Sequence, residues 1–263
     1  NIKKDEFTWI IGASGKNLNV YNLPLSLTHE ISDFQLKADN NEFNLSSTGK
    51  VNDIQSKLNI IKGNKTNPEI KLDFDDSEEL AILLSKVSQI KLYGKAKGFV
   101  EIKDFDFNNF NPKAVIDLSS ATVEIPYINY IKEKGLSGLI NSDLVFIDGK
   151  LHQLTNIQGQ IGSVAFDGNI KFNNGLINDA NFNYITFPGT LISHFNLTQN
   201  KNDNFNLNIS AEKINLMEYL DYYSNNKKDP NKNKYIFNIK SEKFLFPGGI
   251  IANGLIKGNY NFD

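Results

Sequence analysis

The sequence predicts a mainly β protein: an elongated, curved antiparallel sheet or groove of many short strands, taco-like or an open sandwich, with one or two short helices. The first observation is the alternation of apolar and polar residues, clearest at 205–214, where Phe205, Leu207, Ile209 and Ala211 fall on one face. The second is that turn-forming residues separate such segments at intervals of roughly 8–12 residues, as in a meander. The third is that one stretch departs from this pattern and has helical spacing.

That stretch is 73–98, and it predicts a helix. Its apolar side chains have the i, i+3, i+4, i+7 spacing of one helix face: Leu80, Leu83, Leu84 and Val87. Asp76 followed by Glu79 fits a capping box, and the acidic residues at 75–79 suit the positive end of the helix dipole. We expect this helix to cap or plug one end of the β structure. A second short helix is predicted at 215–224, with Asn215 as its N-cap.

Short polar and glycine-containing segments predict the turns between strands. Residues 39–41 and 63–68 are typical of hairpin turns between alternating segments. Asx-Gly pairs supply the positive φ that tight turns require, and they occur at Asp148-Gly149, Asp167-Gly168 and Asn174-Gly175. Gly12 with Gly15, and Gly248 with Gly249, predict two further turns.

Composition bounds the class of protein and excludes several functions. The 263 residues are expected to form one continuous domain, 1–263, that is a fragment of a longer protein. A net charge of −2, with lysines spread along the chain, argues against nucleic acid as a partner, because phosphate binding needs a concentrated basic face. The absence of cysteine excludes disulfides, thiol catalysis and zinc–thiolate sites. No apolar run approaches the roughly 20 residues that cross a bilayer.

The sequence contains no arrangement typical of an active site. Its histidines, His29, His152 and His194, lie far apart and lack metal-ligand spacing. The acidic residues at 73–79 lack the turn glycine of a calcium-binding loop, and a helix N-terminus explains them better. Neither a phosphate-binding loop nor a G-x-S-x-G nucleophile elbow is present. We therefore expect no enzyme, with no catalytic residue, no metal and no cofactor.

The apolar strand faces allow two interpretations. In the first, two such faces pack together and make the filled core of a sandwich. In the second, a long curved sheet leaves its concave apolar face partly unfilled, and this face accepts acyl chains. Periodicity alone does not decide between them.

Four motifs occur in order along the chain. They are DDSEELAILLSKV followed by YGKAKGFVEI, then ATVEIPYINYIKEKGLSG, LTNIQGQIGSVAFDGNIKF and FNLNISAEKINLMEYL. Their order resembles the AsmA-like family, in particular its YhdP-type members with an AsmA-like C-terminal region, and more distantly the TamB-related proteins. The second motif matches the family pattern at Ile125, Pro126, Tyr130, Lys132 and Gly135. The match is best at 72–224, and the chain departs from the pattern at Ala211-Glu212 and Asn215, where a Gly and an Asp are common.

The resemblance implies a specific function. Such proteins are anchored in the inner membrane of diderm bacteria and span the periplasm as an extended, repeating β-groove with an apolar interior. They are implicated in carrying phospholipids between the inner and outer membranes. For this chain the resemblance implies phospholipid acyl chains as ligands, adjoining segments of the same protein as partners, and membrane contact through other parts of the protein. It also implies structural roles for Pro126, Lys132 and Gly135.

The expected groove-lining residues are apolar side chains of the strands that follow the helix. They are Ile116, Leu118, Val123, Ile125, Phe166, Ile170, Phe172, Phe182, Tyr184, Phe205, Leu207, Ile209, Phe237 and Ile239. The alternative is a non-catalytic β-rich structural or adhesin-like interaction module. That alternative predicts strand faces filled by side chains and a polar binding surface.

Overall fold

The fold is one large β-sheet with a helix and a small sheet packed at one of its ends. The computed structural model describes residues 8–23, 27–88, 90–103, 105, 111–147, 150–173, 175–200, 204–217 and 234–261. Within these ranges no helix has both the length and the apolar character needed to cross a membrane. The prediction of a mainly β, curved sheet with few helical residues is confirmed.

The large sheet has fifteen strands, and each is hydrogen-bonded to the next large-sheet strand in the chain. Its strands are β1 Ile10–Leu23, β2 Leu27–Asp39, β3 Glu42–Val51, β4 Ile54–Gly63, β5 Glu69–Ser77, β7 Ala96–Ile102, β8 Lys113–Asp117, β11 Gly138–Ile147, β12 Lys150–Ile161, β13 Val164–Asn173, β14 Leu176–Phe187, β15 Thr190–Gln199, β16 Phe205–Asn215, β17 Lys234–Phe246 and β18 Gly249–Asn261. The small sheet contains β6 Lys91–Gly94, β9 Ala121–Ile125 and β10 Tyr130–Lys132, in the order β10-β9-β6. The helix is α1 Glu78–Ser88.

One ladder departs from the predicted antiparallel order. Strands β16 and β17 pair in parallel, whereas the other ladders of both sheets are antiparallel across the described residues. A parallel pair requires a crossover, because a hairpin reverses the strand direction. The helix predicted at 215–224 falls in that connection, and its residues from 218 onward lie outside the described part of the chain.

Most predicted turns are confirmed. At 39–41 the side-chain Oδ1 of Asp39 accepts hydrogen bonds from the backbone N–H groups of Asn41 (2.8 Å) and Glu42 (2.9 Å). The turns at 63–68 and 248–249 also lie between consecutive strands. Gly175, which has a positive φ of 80°, directly precedes β14. The pair at 148–149 lies outside the described residues.

Two turn predictions are wrong, because the glycines concerned lie inside strands. Gly12 and Gly15 are paired positions inside β1. Asp167-Gly168 lies inside β13, where Gly168 pairs with Phe182. A Cβ on Gly168 would lie 2.4 Å from the carbonyl oxygen of Asn181, so the neighbouring strand leaves no room for a side chain.

Helix α1 forms where the sequence predicts it, but its cap and its buried face differ. The backbone N–H of Leu80 donates to Oγ of Ser77 at 3.1 Å, so Ser77 is the N-cap and the predicted capping box of Asp76 and Glu79 is wrong. The buried side chains are Leu80 and Ala81, whereas Leu83 is 39% exposed. The buried face of α1 is rotated toward Ala81, because the helix packs against both the large sheet and β6, and Ala81 belongs to the core.

The second family-like motif builds the small sheet and a buried lysine. Pro126 begins a 3-10 turn, Pro126–Ile128, and β10 then returns to pair with β9. Lys132 is fully buried, and its Nζ donates to the carbonyl oxygens of Ala121 (2.8 Å), Glu133 (3.0 Å) and Leu136 (3.2 Å). Gly135 has a φ of 92°, and its N–H donates to Ser119 O at 2.8 Å. The motif therefore ties the small sheet to the turn after β8.

The core lies at one end of the large sheet, which we call the capped end. Turns 52–53, 162–163, 188–189 and 247–248 lie at this end, together with α1 and the small sheet. The opposite end, with turns 40–41 and 64–68, is called the open end. Buried residues of the core extend from Ile54 of β4 to Phe244 of β17.

The extent of this core requires a curved sheet. From β4 to β17 the ladder takes ten steps, which would span about 48 Å if flat. Helix α1, with 11 residues, is only about 16 Å long. One short helix and three short strands cannot cover a flat sheet of that width, so the sheet bends around them.

Candidate functional site

The inner face of the large sheet, the face that carries the core, is mainly apolar, with a few buried polar side chains. Strand register aligns its side chains in rows that run across the sheet. Near the capped end these rows belong to the core beneath α1 and the small sheet. Toward the open end the covering elements stop while the apolar row continues.

We call the apolar row nearest the open end the open row. Its members are half-buried and pair in three groups, which are separated at β7–β8 and at β14, where the same face carries the buried Ile102 and Ala180. They are Leu36, Leu45, Ile60, Ile70, Leu144, Leu154, Ile170, Leu197, Leu207 and Phe237. None of these residues belongs to the buried core or to the side chains packed against it. The open row is therefore a stripe of large apolar side chains that lie outside the core and keep part of their surface exposed.

Aromatic rings lie between the core and the open end on the same face. Phe166, Phe182 and Phe195 form two edge-to-face pairs, with ring centroids 6.2 and 5.8 Å apart. Phe205 stacks on Tyr235 at 5.4 Å, next to the open end. Such rings add apolar contact area while holding a fixed geometry.

Charged groups lie on the outer face, opposite the open row. Ion pairs there join Lys16 to Asp33 (3.7 Å), Lys71 to Asp73 (2.8 Å) and Lys97 to Asp117 (3.3 Å). The inner face thus presents hydrocarbon and the outer face presents charge. This arrangement suits a ligand that is itself apolar.

Ten of the fourteen predicted lining residues lie on the inner face. Ile170, Leu207 and Phe237 belong to the open row. Ile116, Phe166, Ile209 and Ile239 lie closer to the capped end and pack against the core. Phe172, Phe182 and Phe205 are the remaining three, and Phe205 is buried.

Four predicted lining residues lie elsewhere. Tyr184 pairs with Asp167, points to the outer face and is 42% exposed, because an extra residue in β14 shifts the alternation. Val123 and Ile125 belong to β9 of the small sheet, and Leu118 is buried beneath it. These three are part of the cap that closes the inner face, so they do not line an open surface.

The sequence-based list missed seven members of the open row, chiefly in the first strands. Leu36, Leu45, Ile60 and Ile70 stand on β2 to β5, before α1. Their alternation with polar neighbours was a sufficient signal, since the pattern of 34–45 already predicts a hairpin with one apolar face.

Among the described residues, no group of three or more His, Asp or Glu side chains could hold a metal ion. His152 and His194 are exposed, whereas His29 is fully buried on the inner face. Burial lowers the pKa of His29, so its imidazole is neutral near pH 7.

The geometry is thus an apolar stripe on a curved open sheet, closed at one end. No family model, curated protein or solved structure matches this chain.

Proposed function

We propose that this chain is a segment of a lipid-carrying β-groove in which phospholipid acyl chains lie along the open row. The observation that carries the proposal is a row of ten large apolar side chains that lie outside the core and remain only half-buried. An acyl chain placed there gains roughly 0.8 kcal/mol for each buried methylene. Sliding along a uniform apolar stripe needs no catalytic residue.

The motif resemblance places this proposal in a cellular setting. We propose a location in the periplasm of a diderm bacterium, in an AsmA-like protein anchored to the inner membrane and joined to adjoining segments of the same chain. Phospholipid passage between the inner and outer membranes is the corresponding role.

The test is lipid occupancy measured by native mass spectrometry of the purified chain. We expect phospholipid to co-purify with the wild type. Leu207→Lys places an unpaired charge in the open row and should reduce the bound fraction at least tenfold, because burying that charge beside acyl chains is unfavourable.

The matched control is Asn208→Lys, one residue along β16. Asn208 is exposed on the outer face, where its side-chain oxygen accepts a hydrogen bond from Asn238 at 3.4 Å. This variant should retain wild-type lipid. Equal lipid content in the two variants, or none in the wild type, would contradict the proposal and favour a structural or adhesin-like module.

A further inference from the structure

Among the described residues, three buried polar side chains on the inner face have no hydrogen-bond partner. His29, Ser47 and Ser56 are 0%, 2% and 4% exposed. Both ring nitrogens of His29 and both hydroxyl oxygens lack a donor or acceptor within reach. Buried polar groups in native proteins are nearly always paired, so three such side chains on one face need an explanation.

The three side chains lie on adjacent strands around Gly49. His29 is on β2, Gly49 and Ser47 are on β3, and Ser56 on β4 is the ladder partner of Gly49. A Cβ on Gly49 would lie 2.9 Å from Nε2 of His29, so the imidazole extends over that glycine. Paired residues have Cβ atoms about 5 Å apart, and alternate residues of a strand are about 7 Å apart. The polar groups therefore surround one position above Gly49.

The surroundings of this position are apolar and uncharged. Val51, Leu58 and Phe74 are the ladder partners of His29, Ser47 and Ser56. Glu30 and Lys50, the nearest charged neighbours along β2 and β3, are exposed on the outer face. An anion placed here would have no countercharge, whereas an uncharged acceptor would receive hydrogen bonds from two hydroxyls and one imidazole N–H.

We propose that His29, Ser47 and Ser56 form a polar site that binds the ester carbonyl of a lipid whose acyl chains occupy the groove. This inference rests on the proposed function and adds the chemical class that the groove selects. The three side chains are buried in the lipid-free chain, so binding at this site requires neighbouring side chains to move aside. An acyl ester supplies acceptors next to hydrocarbon, which matches polar groups set in an apolar face.

The experiment compares a diester phosphatidylcholine with its diether analogue, which has the same chain length and head group but lacks the carbonyls. Binding to the full chain is measured by displacement of a fluorescent lipid. We expect wild type to bind the diester about tenfold more tightly, as one or two added hydrogen bonds allow. Ser47→Ala/Ser56→Ala should bind both lipids equally, at the diether level.

The control variant is Ser46→Ala/Thr48→Ala, which removes two hydroxyls from the opposite face of β3. It should keep the diester preference. Equal binding of diester and diether by wild type overturns the ester site and leaves the groove intact. Binding of neither lipid overturns the groove and the site together.

Thermal unfolding without lipid gives a second readout. Because the hydroxyls of Ser47 and Ser56 have no partners, their removal should leave the Tm unchanged or raised. A Tm lowered by several degrees would mean that these hydroxyls hold the fold together, and the ester site would be wrong.

Discussion

Two fully buried ionisable side chains, Lys132 and His29, differ in their hydrogen bonding. Lys132 in the cap donates to three carbonyl oxygens, whereas neither ring nitrogen of His29 has a partner. Burial lowers the pKa of both groups, although Asp117 and Glu133 partly offset this for Lys132. In the cap, the buried ammonium group of Lys132 is fully hydrogen-bonded. On strands β2 to β4, among the described residues, the buried polar groups of His29, Ser47 and Ser56 are unpaired. Unpaired buried polar groups are rare in native proteins, and the ester site proposed above is one explanation for those of His29, Ser47 and Ser56.

The largest loss of stability should come from removing the buried hydrogen bonds of Lys132. Lys132→Met keeps the length of the side chain but leaves three carbonyl oxygens without their buried donor. We expect a loss of about 3 kcal/mol in the free energy of unfolding, measured by urea denaturation. The exposed neighbour Lys134→Met should change it by less than about 0.5 kcal/mol. Similar values for the two variants would show that the three hydrogen bonds from Lys132 to carbonyl oxygens add nothing to stability.

A smaller loss is expected at the N-terminus of α1. Ser77→Ala removes the acceptor of the Leu80 N–H and should cost about 1 kcal/mol. Glu79→Ala tests the alternative cap and should cost only about 0.3 kcal/mol, through the helix dipole. Urea denaturation of the two variants checks the order, and a larger loss for Glu79→Ala would restore the capping box.

Removing an unpaired hydroxyl from β4 should not lower the free energy of unfolding. Ser56→Ala removes a buried hydroxyl without a partner, so the free energy of unfolding should stay within about 0.5 kcal/mol of wild type or rise. The comparison with Ser77→Ala is direct, because both changes delete one hydroxyl. A loss equal to that of Ser77→Ala would remove the distinction between the two regions.

The smallest effect concerns pH and Asp117, the last residue of β8. Burial raises the pKa of Asp117, but hydrogen bonds from Ser119, including its backbone N–H at 2.8 Å, and the ion pair with Lys97 outweigh it, so the pKa lies below its usual value. A lowered folded-state pKa gives stability that is present above about pH 3.9 and is lost as the pH falls further. Asp117→Asn should therefore lose less stability than wild type between about pH 5 and pH 3. Parallel pH profiles of Tm would contradict this.

Periodicity predicted the sheet and its apolar face well, because alternation is a local property that the pleat preserves. It placed Tyr184 on the wrong face, because an extra residue in β14 reverses the alternation without leaving a mark in the sequence. It also predicted α1 but not its cap, since Asp76 and Ser77 are both good N-caps and packing chooses the register.

Other features of the site were beyond the reach of sequence patterns. The burial of His29 could not be predicted, because a histidine between polar neighbours is typical of an exposed position. The exclusion of the open row from the core depends on how far α1 and the small sheet extend, which is set by tertiary packing. The family resemblance did single out Lys132. The three hydrogen bonds from its Nζ to carbonyl oxygens give a structural reason for a lysine at that position.

The parallel ladder between β16 and β17 has a consequence for the order of folding. Every other ladder of the large sheet joins strands that are antiparallel and consecutive within it, and most are direct hairpins, which close quickly. The β16–β17 ladder places the start of β17 beside the start of β16, so it must close a loop from Asn215 to Lys234 that no hairpin shortens, and this closure carries an entropic penalty. We therefore expect the β17–β18 hairpin to form on its own and to join the rest of the sheet last.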